Sequence, residues 1–271
     1  MTSKIQWTDE TWNPSTGCTK ISEGCQNCYA ERMAKRLAGR YGYPKDEPFR
    51  VTFHPDKMEQ PWKWKKPRRI FVCSMGDLFH DDVEWNWQYK IIEKALVLPR
   101  HTFILLTKRP LNMAKRMKDI EFHLKRNYSG NIFPLDNLWI GVTAENQKRA
   151  DERIPVLLQI PAAVRFVSIE PMLEEMGFID MEDNEGFFNP LTGEWENVFL
   201  RSKGVGPSLN WVICGGESGP NARPMRPNWA RELRDQCQRA GVPFFMKQMS
   251  GKTNAERQSI PADLMVREYP K

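Results

Sequence analysis

Short apolar runs recur along the chain. Each is followed by a polar or glycine-containing turn and then by a stretch of helical character. The runs are Ile70–Cys73, Thr102–Leu106, Leu138–Val142, Val164–Ile169, Trp211–Cys214 and Val242–Met246. They are short and rich in β-branched and aromatic residues, which suits strands buried on both faces. Trp87–Leu98, Leu111–Lys125, Gln147–Leu158 and Trp229–Ala240 lie between them and read as helices. The last runs into Gly241, a residue type that ends helices in the left-handed conformation. Strand and helix in alternation predict parallel pairing through right-handed crossovers.

With a first strand near Lys4–Trp7, the pattern predicts an α/β protein. Its best arrangement is a parallel (β/α) barrel or partial barrel in a single domain over residues 1–271, with a doubly wound open sheet as the alternative. One stretch breaks the rhythm. Residues 176–208 carry Asp183-Asn-Glu-Gly186, Asn189-Pro-Leu-Thr-Gly193 and Lys203-Gly-Val-Gly-Pro207, all turn signals. They predict an inserted hairpin or lid, against the alternative of a disordered surface loop.

The residues that follow the apolar runs are polar. They are Ser74-Met75-Gly76-Asp77, Thr107-Lys108-Arg109-Pro110, Thr143-Ala144-Glu145-Asn146, Glu170-Pro171, Gly215-Gly216-Glu217-Ser218-Gly219 and Lys247-Gln248. In a parallel barrel such positions share one mouth, where active sites are built. Lys108 and Arg109 suit a carboxylate or phosphate, or a structural ion pair. Glu170 suits ribose hydroxyls, or a pairing with Lys108 or Arg109. Gly215 and Gly216 let backbone N–H groups, with Glu217 beside them, approach a ligand, yet they match neither the dinucleotide fingerprint nor the P-loop. His80 reads as a proton carrier or ligand, or as a hydrogen-bonded structural group.

Cys18, Cys25 and Cys28 form the strongest local signal, in the spacing C-x6-C-x2-C between the first strand and a helix over Tyr29–Leu37. Gly17 and Gly24 each precede a cysteine, and Cys28 stands at a helix N-terminus, which favours thiolate. Three thiolates together point to a soft metal: zinc or an iron–sulfur cluster. Structural zinc calls for four protein ligands, and the nearest histidine is His54. A [4Fe–4S] cluster on three cysteines leaves one iron open for a small molecule, so ligand count favours the cluster. Cys73, Cys214 and Cys237 read as small buried hydrophobes.

Composition adds the setting. The chain has 271 residues, 40% hydrophobic and 27% charged, which is globular rather than disordered. No run of apolar residues is long enough to cross a membrane, and residues 1–10 lack the apolar core of a signal peptide, so a cytoplasmic location with reduced thiols is expected. The net charge of +6 and pI of 9.0 favour an anionic partner. Trp62, Lys63, Trp64, Lys65, Lys66, Arg68 and Arg69 interleave aromatics with positive charge. That texture suits nucleic acid, or a helix edge whose lysines snorkel over apolar surface.

The chain also resembles the phage gene-product 37 / gene-product 68 family, which is similar to radical S-adenosylmethionine enzymes. The resemblance is carried by Thr11-Trp12-Asn13-Pro14, Gly17-Cys18, Gly24-Cys25-Gln-Asn-Cys28-Tyr29-Ala30-Glu31, Ser74-Met75-Gly76-Asp77-Leu78-Phe79-His80, Leu106-Thr107-Lys108-Arg109-Pro110, Ser168-Ile169-Glu170-Pro171 and Gly215-Gly216-Glu217-Ser218-Gly219-Pro220. It implies a barrel of the radical S-adenosylmethionine type, with Cys18, Cys25 and Cys28 holding [4Fe–4S]. The open iron would chelate S-adenosylmethionine. An electron donor would drive its cleavage to a 5′-deoxyadenosyl radical that modifies a substrate. By the same resemblance Ser74 and Asp77 replace the usual Gly-Gly-Glu grip on the methionine amino group, and Thr143, Glu145 and Asn146 stand where the ribose is held. The usual first cysteine gap is three, and here it is six. Two function classes result: a radical enzyme acting on a nucleic acid base, nucleotide or related metabolite, and a nucleic-acid-binding protein with a structural zinc site.

Overall fold

A computed structural model describes residues 5–130, 132–178, 181–183, 186–197 and 200–271. Its elements in chain order are β1 (Glu10–Trp12), β2 (Ser15–Thr16), α1 (Tyr29–Leu37), β3 (Thr52–Phe53), β4 (Arg69–Val72), α2 (Trp85–Val97), β5 (Thr102–Thr107), α3 (Pro110–Asn127), β6 (Leu138–Thr143) and α4 (Gln147–Leu158). Then follow β7 (Val164–Ile169), β8 (Met181–Asp183), β9 (Gly186–Phe188), β10 (Glu194–Asn197), β11 (Ser202–Val205), β12 (Trp211–Gly215), α5 (Pro227–Ala240), β13 (Phe244–Gln248) and α6 (Asn254–Gln258).

Seven strands form a parallel sheet in the order β1-β4-β5-β6-β7-β12-β13. The order rises steadily with sequence, so every crossover steps in the same direction. A doubly wound sheet needs a reversal of strand order. The monotonic order therefore excludes that alternative and leaves the singly wound arrangement.

The chain divides into two compact units, residues 1–141 with 160–163, and residues 142–159 with 164–271. In the first, Trp12, Ile70, Phe103, Ile104, Ile120 and Leu124 are wholly buried. In the second, β12 is buried along its whole length, and Trp211 lies 5.6 Å from Phe166 and 6.0 Å from Phe245, ring centre to ring centre. Strands covered on both faces need such continuous apolar runs. Local signals end the helices: Asn146 accepts the Arg149 amide at the start of α4 (3.0 Å), and Gly241 follows α5 at φ 69°.

Two expectations need correction. The first strand is Glu10–Trp12, paired with Ile70–Val72, rather than Lys4–Trp7. Residues 5–8 form a turn closed by the Thr8 amide on the Ile5 carbonyl (3.2 Å), and Lys4 lies outside the described residues. Trp7 is buried by packing on Phe71, 4.7 Å between ring centres, without joining a ladder. The stretch 176–208 is more than a hairpin: β8 to β11 pair antiparallel in the order β11-β10-β9-β8. Positions 179–180, 184–185 and 198–199 of it lie outside the described residues. No helix among the described residues is long and apolar enough to cross a membrane.

Candidate functional site

The cysteine loop is seated in the first unit by two glycines. Gly17 has φ +92°, and a Cβ there would lie 2.2 Å from the Arg50 carbonyl oxygen. A Cβ on Gly76 would lie 2.7 Å from the Gly17 carbonyl oxygen. The Gly17 amide donates to the Met75 carbonyl (2.9 Å), and the Cys18 amide to that of Phe49 (3.1 Å). Glycine at both positions thus lets the loop backbone lie directly on the turn that follows β4. Two strings far apart in sequence, Gly17-Cys18 and Ser74-Met75-Gly76-Asp77, meet here. Asn13 locks the same turn: its Oδ1 accepts from the Ser74 hydroxyl (3.1 Å) and the Met75 amide (3.0 Å).

Arg109 ties loop to turn. One terminal nitrogen donates to Cys18 Sγ (3.2 Å) and to Asp77 Oδ2 (3.2 Å). The other donates to the Thr19 carbonyl (3.1 Å) and hydroxyl (3.0 Å). Asp77 also accepts from the Thr107 hydroxyl (2.7 Å) and from the amides of Phe79 (3.0 Å) and Lys108 (3.2 Å). Its two oxygens therefore hold four donors, about the full capacity of a carboxylate. Asp77 is placed to position Arg109 and the ends of β4 and β5. Thr107, one of the strand-end residues, and Thr19, which that reading passed over, complete the network. His80 lies against the loop as well, with Nε2 2.8 Å from the Thr19 hydroxyl and Nδ1 accepting the Asp82 amide (3.1 Å). Burial, followed by the Arg109 charge, lowers its pKa and favours the neutral ring.

The three loop cysteines are free and half-buried. Burial, followed by the Asp77 charge, pushes the Cys18 thiol up to about 11, against the opposing pull of Arg109. Burial works against ionisation of Cys25 too, but the Lys108 ammonium and hydrogen bonds from Ile21 and Ser22 outweigh it and lower its pKa. Cys18 and Cys25 also act on each other electrostatically. Cys28 caps α1, its sulfur accepting the Glu31 amide at 3.5 Å. Among the described residues no three His, Cys, Asp or Glu side chains gather on a single ion position. The donor set is three thiols, each supported by a cation, an N–H or a hydroxyl. Thiols are the soft donors that iron–sulfur and other soft-metal centres take. Cys73, Cys214 and Cys237 are buried, and burial raises all three thiols, Cys73 to about 12.

The strand-end residues of the second unit are engaged differently. Glu145 is fully buried, and its Oε2 accepts from Arg153 (2.9 Å), which also donates to the Thr143 carbonyl (2.7 Å). Glu170 pairs with Lys247 (2.5 Å), a partner not foreseen from sequence. Glu217 takes a fork from Arg223, with Nε at 3.0 Å and a terminal nitrogen at 2.6 Å. A Cβ on Gly216 would lie 2.2 Å from the Ser250 amide, so packing of its own chain requires glycine there. Gly215 has ordinary room, with the Glu170 carboxyl carbon 3.4 Å from a Cβ position. Arg153 and Arg223 are residues that sequence reasoning missed, and Lys247, placed at its strand end from sequence, was not foreseen as the partner of Glu170. Arg153 had a signal, since it lies on α4 two turns beyond the Asn146 cap.

A family model described as "Protein of unknown function (DUF5131)" matches residues 2–269. No curated protein and no solved structure matches the chain.

Proposed function

The chain belongs to the DUF5131 family, and we propose that it is an iron–sulfur enzyme of the radical S-adenosylmethionine type, on a partial (β/α) barrel, with Cys18, Cys25 and Cys28 as cluster ligands. One observation carries the reading. Three free thiols share a loop that two glycines press against a strand end, and a buried arginine contacts the first of them. Cys18, Cys25 and Cys28 would hold the cluster, which would supply the one-electron chemistry for cleavage of S-adenosylmethionine.

The chain's own residues hold and balance that group. Thiolates bring concentrated negative charge, and Arg109 and Lys108 stand against it. Because Cys18 is held protonated without metal, loading the loop releases a proton there. Asp77 acts through Arg109 as a positioning residue. The Gly17–Gly76 bridge lays the Ser74–Gly76 turn on the loop, which supports Ser74 as a side chain for the methionine amino group. The ion pairs of Glu145 and Glu217 need no role in this reading. The electron donor is an external one-electron reductant, and the substrate a nucleic acid base, nucleotide or related metabolite.

The test is anaerobic reconstitution with iron and sulfide. The protein is expected to turn brown, and its reduced electron-spin spectrum to shift when S-adenosylmethionine is added. Dithionite should then yield 5′-deoxyadenosine. A fully loaded cluster that neither shifts nor cleaves the cofactor would remove the proposal.

A further inference from the structure

The segment leading into β4 takes no part in that site. From Gln60 to Arg69 it holds five cations and no acid in ten residues, with Trp62 and Trp64 among them. Its backbone is fixed. Pro61–Lys63 forms one 3-10 turn, closed by the Lys63 amide on the Gln60 carbonyl (3.1 Å) and the Trp64 amide on that of Pro61 (3.3 Å). Arg100 reaches across to the carbonyls of Trp64 (3.2 Å) and Trp62 (3.5 Å), and His101 Nε2 lies 3.2 Å from the Pro61 oxygen. Trp64 packs edge-on to His101. On this pinned turn Trp62 stays 47% exposed.

The charges around it are largely uncompensated. Arg69 pairs with Asp9, and Lys94 pairs with Glu59 while its ammonium lies 5.7 Å from the Trp62 ring centre. Lys63, Lys65, Lys66, Arg68 and Arg100 have no carboxylate within ion-pair distance among the described residues. Arg68 Nε is buried without a hydrogen-bond partner. Snorkelling lysines would hide the aromatic surface beneath them, yet Trp62 remains open and Lys63, Lys65 and Lys66 are exposed beside it. A membrane surface would engage several exposed apolar side chains, and in this segment Trp62 is the one large apolar side chain that is exposed.

We infer that this surface binds single-stranded nucleic acid, with a base stacked on Trp62 and phosphates on Lys63, Lys65, Lys66 and Arg100. An unstacked base offers the face that an exposed indole takes, and a duplex hides it. The surface is a handle rather than a place of chemistry. It stands where β4 begins, whereas the Gly76 contact with the cysteine loop comes after that strand ends. Four residues of strand span about 13 Å. The inference is independent of the iron–sulfur reading, because none of its residues touches that loop.

The full-length protein is titrated into a labelled oligothymidylate of about twenty nucleotides and followed by anisotropy across a salt series. If about four phosphates are contacted, log K falls with log salt at a slope near −3, about a fifty-fold loss between about 50 and 200 mM. Trp62→Ala is expected to weaken binding about tenfold and to abolish most of the quenching of protein fluorescence by the oligonucleotide. Lys63→Gln, Lys65→Gln and Lys66→Gln together should reduce the slope by about two. Unfolding midpoints and iron content of the variants should match the parent. Equal affinity for a duplex of the same length or for anionic phospholipid vesicles overturns the inference. So does an absence of binding at low salt, or a Trp62→Ala variant that binds like the parent. Loss of S-adenosylmethionine cleavage would leave this result untouched.

Discussion

Replacing Arg109 with methionine keeps the reach of the side chain and removes its charge and its donors. Four hydrogen bonds go with them: one to Cys18 Sγ, one to Asp77 and two to Thr19. The Arg109 and Asp77 side chains are each 7% exposed, so the pair is buried. Breaking a buried pair by removing one partner costs about 3–5 kcal/mol, because the other charge is stranded. Asp77 keeps Thr107, Phe79 and Lys108 as donors, which places the cost at the lower end, about 3 kcal/mol. Arg109→Lys keeps a charge but lacks the planar fork that serves three residues at once, and about 1–2 kcal/mol is expected. Urea unfolding of the metal-free protein in reducing buffer, followed by tryptophan fluorescence, reads the difference. At a slope of about 3 kcal/mol per molar, Arg109→Met should move the midpoint by about 1 M. In a cycle with Asp77→Asn the two changes should fall short of additivity by more than about 1 kcal/mol. A midpoint near the parent's, or strict additivity, would refute the account of Arg109 as the tie between loop and turn.

Three further outcomes are expected. Alanine at Cys18, Cys25 or Cys28 should each abolish most iron and sulfide uptake on reconstitution, while alanine at the buried Cys73, Cys214 or Cys237 should leave the iron stoichiometry unchanged. Arg153→Met should cost about 4 kcal/mol in urea unfolding, since it strands the fully buried Glu145 carboxylate, and an unaltered midpoint would contradict that pairing. Stability should also fall on acidification through His54, which is 3% exposed and 2.8 Å from the Thr16 hydroxyl. Burial, followed by the Lys57 charge, lowers its pKa from 6.5 to about 4. The unfolded chain then takes up the proton first, so this contribution is complete above about pH 6.5, declines as pH falls and is exhausted below about 4, a loss of about 3 kcal/mol. Urea midpoints at pH 7 and at about pH 4.5 should differ less in His54→Gln than in the parent, and an equal difference would clear His54 of the effect.

The strands of the sheet were legible because burial on both faces dictates local composition. Val164–Ile169 matches its strand to the residue, and the other five apolar runs lie within two residues of theirs. Trp7 misled because an apolar residue packed on Phe71 from a turn leaves the same mark as one in a ladder. The four strands of the insertion were not seen individually because β10 and β11 are largely exposed and carry little apolar alternation. At the candidate site, residue types and spacing singled out the cysteines and strand-end polar groups. The partnerships were hidden, because the Arg109 contacts to Asp77 and Cys18 span 32 and 91 residues of chain. Gly216 shows the limit from the other side. Glycine there read as room for a ligand, and the Ser250 backbone fills that room.

One regularity was not visible from any single motif. Asp77, Glu145, Glu170 and Glu217 each follow a strand of the parallel sheet, and each is held by a cation of its own unit: Arg109, Arg153, Lys247 and Arg223. An ionised carboxylate at a strand end loses water on folding, and a hydrogen-bonded cation offsets that cost while fixing the loop that carries it. Such a pair is a poor ligand until it opens, and opening is costly in proportion to burial. Glu145 and Arg153 are 0% and 5% exposed, Asp77 and Arg109 are 7% each, and Glu217, 5% exposed, is gripped by a two-point fork from the 29% exposed Arg223, so these hold structure. Glu170 and Lys247, at 19% and 18%, face enough water for screening to weaken their attraction. If one strand-end acid exchanges its partner for an incoming ligand, the physics selects Glu170, with Lys247 released at the same moment to meet an anion. Glu170→Gln should then lower substrate affinity while leaving iron content and the urea midpoint close to the parent's. A large loss of stability would instead place this pair with the other three.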